Sequence, residues 1–150
     1  MTADFFRTYI IPAYDDWLAD RENIRKAKTL AAELNNVVEH YWKTNHQISP
    51  NVVGNTSNIK QYRDYLALEN PALGLIRDVA DSHKHLFLNR ASAQIKDAND
   101  VEVKSIGYGE AYGLRYGGGE IIAVTLDSGE TAYFDIFAQQ AYEYWECIFA

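Results

Sequence analysis

Apolar residues in the first half of the chain recur at steps of three and four, the spacing of one helix face. In the first run, Phe6, Tyr9, Ile10, Ala13, Trp17 and Leu18, the rhythm is interrupted by Pro12. Proline lacks a backbone donor and crowds the turn before it, so a kinked or restarting helix is predicted. The second run is longer: Ile24, Ala27, Leu30, Ala31, Leu34, Val37, Val38, Tyr41 and Trp42 predict a helix from about residue 22 to 44. TNHQISPNVVGNTSN then supplies turn chemistry, and Thr56 or Ser57 is predicted to cap a third helix running through Tyr65 and Leu68. Asn70 followed by Pro71 predicts a fourth helix over 71–89, with Asn as the cap and Pro where its missing donor costs nothing.

Beyond Arg90 the period changes from helical to alternating. VEVKSI (101–106) alternates, GEIIAVTLD is rich in β-branched residues, and DSGET carries the Asp, Ser and Gly of a tight reversal before TAYFD. A small antiparallel sheet follows from this. Asp135 is predicted to cap a closing helix whose apolar stripe is Phe137, Ala141, Tyr144, Trp145 and Ile148. The expected fold is thus mainly α and a single domain over 1–150. A bundle of four to five helices (about 3–90 and 136–149) has its sheet inserted at about 91–135, before the C-terminal helix.

At 150 residues such a chain can bury a real core without staples. Its 11 Tyr, 6 Phe and 3 Trp add aromatic area that makes self-association, most simply as a homodimer, an expectation. One cysteine, Cys147, rules out an internal disulfide and a multi-cysteine zinc site, and reads as a small core residue of the last helix. It fits a reducing compartment. MTADFFRTYI has no basic start followed by an apolar run, and no apolar stretch approaches the roughly 20 residues of a membrane span, so a cytoplasmic protein without a membrane partner is expected. The net charge of −7 argues against broad, sequence-independent nucleic-acid binding. It does not exclude a local basic patch: residues 77–96 hold four basic residues (Arg77, Lys84, Arg90, Lys96) against two acidic ones (Asp78, Asp81).

The chemistry concentrates in RDVADSHKH, residues 77–85, on the fourth helix. Each helical residue advances about 100°, so Leu73, Ile76, Ala80, His83 and Phe87 share one stripe and His83 faces the core side. There it serves either as a hydrogen-bonded core histidine or as a catalytic group. Arg77 projects about 120° from His83, and its structural partner would be Asp81, four residues on. Asp78, Asp81 and Ser82 lie on the side of His85, either as a solvated face or, through Asp81 and His85, as half of a metal site completed by Glu69, His40 or His46. The solvated face is the preferred reading, and no cofactor is expected.

An Arg, a polar residue directly after it and a His a few residues further on a helix of a small bundle resembles the motif of HEPN domains. Many of these are metal-independent ribonucleases. The matching residues are Arg77, Asp78 and His83. The resemblance implies a site shared across a dimer interface, with RNA as substrate and a cyclic phosphate as product. His83 would move protons at the 2′-hydroxyl and the leaving oxygen, while Arg77 stabilised the phosphate charge. HEPN domains are essentially all-helical, so the β excursion would be an addition. The wider pattern, RDVADSHKHLFLNR followed by a Gly-rich stretch, a hairpin and YEYWE, is also similar to a group of small uncharacterised bacterial proteins, which implies no activity.

GYGEAYGLRYGGGE (107–120) holds six of the nine glycines without a Lys-Ser or Lys-Thr pair, so it is not a P-loop. Tyr108, Tyr112 and Tyr116 with Arg115 form either a stacking surface for RNA or a protein partner, or a cover for the sheet or a dimer seam. Lys84, Arg90, Tyr112 and Arg115 are the expected binding residues. No serine nucleophile motif and no isolated acid and base pair appear. Two functions of different class follow: a HEPN-like ribonuclease, or a non-catalytic interaction or structural protein.

Overall fold

The computed structural model describes residues 2–84, 93–95, 97–106 and 119–149; the side chains of His83, Lys84, Ala98, Ser105, Ile106 and Gly119 fall outside this description. The chain opens with α1 (Thr2–Phe5), a π-helical turn (Phe6–Ile10) and α2 (Ile11–Leu18). Pro12 falls in the first turn of α2, in keeping with a helix that restarts there. The turn ahead of it widens, with the Ile11 N–H bonding the Phe6 carbonyl, so that the donor missing at Pro12 is accommodated in a continuous helical path.

The long predicted helix is α3 (Ile24–Asn45), capped by Asn23, whose side chain accepts from the Lys26 N–H. Its periodic positions Ala27, Leu30, Ala31, Leu34, Val37 and Val38 are all buried. A 3-10 turn (Pro50–Val53) leads to α4 (Ile59–Glu69). The cap of α4 is Asn58 rather than Thr56 or Ser57: its side chain accepts from the Gln61 N–H, while the Gln61 side chain accepts from the Ser57 N–H. Thr56 is engaged elsewhere, accepting from the Trp42 indole and donating to the Val53 carbonyl. In α5 (Pro71–Lys84) the expected start holds, with Asn70 accepting from the Ala72 N–H.

A 3-10 turn (Ala98–Asp100) precedes β1 (Val101–Ile106), β2 (Gly119–Thr125) and β3 (Thr131–Tyr133), which form one antiparallel sheet in sequence order. Val101 pairs with Val124 and Ile106 with Gly119, and Thr125 pairs with Thr131 across the predicted reversal, where Gly129 takes a φ of 88°. Only Val101 of the alternating β1 apolar residues is buried among those described; Val103 is exposed. Strand β2 instead buries Ile121, Ile122, Ala123 and Val124 in succession, so both its faces are covered.

Strand β3 runs directly into α6 (Phe134–Phe149), which starts one residue before Asp135. Asp135 therefore lies inside the first turn and does not cap it; its buried carboxylate accepts from Arg21 Nη1 at 3.1 and 3.3 Å. This pair ties the α2–α3 connection to α6. The buried stripe of α6 is Phe134, Phe137, Ala138, Ala141, Tyr142 and Trp145; it shares Phe137, Ala141 and Trp145 with the predicted one, while Tyr144 is half-buried and Ile148 exposed. Cys147 accordingly is exposed, in contrast to the core position expected of it, because the helix turns that face outward. Aromatic rings fill the seam between α1–α2 and α6: Tyr14 stacks on Tyr142 at 3.8 Å, and Trp17 meets Phe134 edge-on at 5.3 Å. One continuous core joins helices to sheet, since Ile122 and Val124 pack in the same cluster as Leu30, Ile76 and Trp145.

Candidate functional site

The site is built where α4 and α5 approach closely. Gly74 sits in the interior of α5, and a Cβ built there would lie 3.1 Å from the Ala67 Cβ. That contact sets the spacing of the two helices and brings Asp64 opposite Arg77, one turn on from the close approach. Arg77 Nη1 donates to Asp64 Oδ1 at 2.8 Å, and Lys60 Nζ donates to Asp64 Oδ2 at 3.0 Å. Arg77's partner is thus Asp64 on the neighbouring helix rather than Asp81 on its own, because inter-helix packing encloses the guanidinium until its side chain is 12% exposed. The hydrogen bond from Arg77 holds the Asp64 carboxyl below its ordinary range, opposed by partial burial and assisted by Lys60.

Asp78 has a different role from its neighbour. It is 3% exposed, and its Oδ2 accepts the Gln94 backbone N–H at 2.8 Å. The Gln94 carbonyl in turn accepts from the Asp127 N–H in the β2–β3 reversal. Ser82 is buried as well and donates to the Val79 carbonyl, while Asp81 is half-buried. The predicted solvated face of α5 is therefore a packed face. Ala93 and Ile95 on either side of Gln94 are both buried, and the Asp78 carboxylate ties this segment to α5.

Between these two arrangements lies a cleft of about 290 Å³. Ala67, Leu68, Pro71 and Gly74 form its apolar wall, and Asp64, Arg77, Asp78 and Gln94 its polar one. Arg77 lines the cleft while bonded to Asp64, and no second partner is found for it among the described residues. No family model, curated protein or solved structure matches this chain. The site is accordingly read from its own chemistry.

Of the other predicted residues, His83 and Lys84 lie on the last turn of α5, with side chains outside the described set. Leu73, Ile76 and Ala80 of the predicted apolar stripe are buried. His85, Arg90, Tyr112 and Arg115 lie outside the described residues, as do Tyr108 and Tyr116. Of the suggested metal partners, Glu69 is exposed at the end of α4, His40 stacks on Phe5 at 4.3 Å, and His46 lies flat on Trp42 at 3.9 Å with its Nδ1 against the Trp42 carbonyl. No group of three or more His, Cys, Asp or Glu suited to a metal occurs among the described residues. Nor, among these, is any helix long and apolar enough to cross a membrane.

Sequence reasoning missed Asp64, Gly74, Leu68 and Gln94. One signal was readable: a glycine inside an amphipathic helix costs about 1 kcal/mol against alanine, which points to a close approach by another element. Nothing in the local pattern identifies which element that is.

Proposed function

We propose that this chain is a non-catalytic binding protein whose working surface is the Arg77 cleft, where it receives an anionic group of a partner. The observation that supports this is the division of labour between adjacent residues. Arg77 presents a guanidinium with one engaged edge to the cleft, while Asp78 is buried on a backbone N–H and serves the fold. A cation pre-positioned by a carboxylate suits recognition of an oxyanion. The single Cys fits a cytoplasmic setting and the aromatic surplus fits a homodimer, which light scattering would test.

A second reading is the HEPN-like, metal-independent endoribonuclease, with Arg77 and His83 working across a dimer. It is favoured by the place of Arg77 in the lining of a cleft of about 290 Å³. In it His83 transfers protons at the 2′-hydroxyl and leaving oxygen while Arg77 offsets the phosphate charge. The two readings part on one experiment. Purified protein with RNA in excess chelator should leave the RNA intact under the first; cleavage that disappears in His83→Ala would replace it with the second. Cleavage that persists in that variant arises elsewhere and does not support the ribonuclease.

A further inference from the structure

The cleft beside Arg77 has more chemical definition than a generic anion site, and we propose that it takes a small organic monocarboxylate whose apolar body lies on Ala67, Leu68 and Pro71. This rests on the binding reading given above. Four features of the cleft select that class.

The first is the donor geometry. A guanidinium is a planar fork that meets a carboxylate through two parallel hydrogen bonds. The Nη1 of Arg77 is fixed by Asp64, and the remaining edge has no partner among the described residues. The second is charge. On a chain whose net charge is −7, every added negative charge is opposed, a dianion more than a monoanion. Inorganic phosphate near neutrality and the consecutive phosphates of RNA are both disfavoured relative to a single carboxylate.

The third is the apolar wall. Leu68 is 86% exposed and Pro71 is exposed, yet both line the cleft. A hydrocarbon body laid against them removes apolar area from water at about 25 cal/mol per Å². Acetate has no such body. The fourth is size: about 290 Å³ is at the small end of small-molecule sites, the scale of one ring or a short chain with a carboxylate.

The test is calorimetric titration of the full chain with phenylacetate, acetate and inorganic phosphate, paired with NMR observation of the Arg77 side-chain Nε–H. Phenylacetate should bind saturably and shift that resonance, at least about tenfold more tightly than acetate or phosphate. Arg77→Gln should weaken it by about tenfold or more, with circular dichroism confirming the fold. Leu68→Ser is at an exposed position and will fold whatever happens at Arg77; it should shrink the advantage of phenylacetate over acetate several-fold. Phosphate binding as tightly as phenylacetate, with the Arg77 resonance shifted, would overturn the carboxylate assignment and leave the cleft as a working surface. An Arg77 resonance unmoved by all three anions would overturn both.

Discussion

Asp78 and Arg77 are adjacent in sequence and opposite in consequence. The Asp78 carboxylate accepts from the Gln94 N–H, so removing the acceptor forfeits a hydrogen bond to a charged group, at a cost of about 1.5–3 kcal/mol. Asp78→Ala should lower the urea midpoint accordingly. Asp78→Asn retains a side-chain oxygen that can accept the same bond and should lose clearly less; equal losses in the two variants would show that the bond is not what the residue contributes. Which of the neighbouring polar side chains does this work was not legible in the sequence. The helix period placed Asp78 and Ser82 on a face read as solvated, whereas both are buried and Asp78 meets Gln94 of a returning segment, an outcome of tertiary packing.

At the scale of elements, the spacing of α4 and α5 is set by Gly74 against Ala67. Gly74→Ala combines a helix-propensity gain of about 1 kcal/mol with a tight Cβ contact, and the two offset each other to a first approximation. Gly74→Val adds branched bulk that cannot be absorbed. It should push the helices apart, cost about 1–3 kcal/mol in denaturant unfolding, and lengthen the Arg77–Asp64 bond in a crystal structure. Helix positions were well read from the chain: α3 and the Asn70–Pro71 start of α5 follow from periodicity and capping chemistry alone. The errors fell at junctions. Asn58 replaced Thr56 and Ser57 as a cap because Thr56 is held by Trp42 and Val53, and Asp135 was drawn from capping to a distant Arg21.

For the whole molecule, the aromatic seam ties stability to alkaline pH. Burial pushes the Tyr142 phenol up to about 12, with Glu146 and Asp15 adding to the effect, and burial raises Tyr62, Tyr41 and Tyr144 as well. A phenol whose folded value exceeds its unfolded one of 10.0 contributes stability that is fully present below that value and is lost as pH rises toward the folded one. The melting temperature should therefore fall from about pH 10 to about pH 12 as the unfolded chain ionises first. Tyr142→Phe removes one such group and should make the decline shallower; an unchanged slope would place the effect on other residues.

The sequence by itself determined the helical bundle, the inserted antiparallel sheet and its reversal, because these rest on local periodicity, caps and turn residues that act within a few positions. Only the tertiary structure decided that Asp64 is Arg77's partner, that Asp78 is buried on Gln94, and that the two leave a cleft walled by Leu68 and Pro71. Those facts depend on contacts between segments separated by 13 and 16 residues, and no local pattern encodes which distant backbone or side chain will come to lie across from a given helix face.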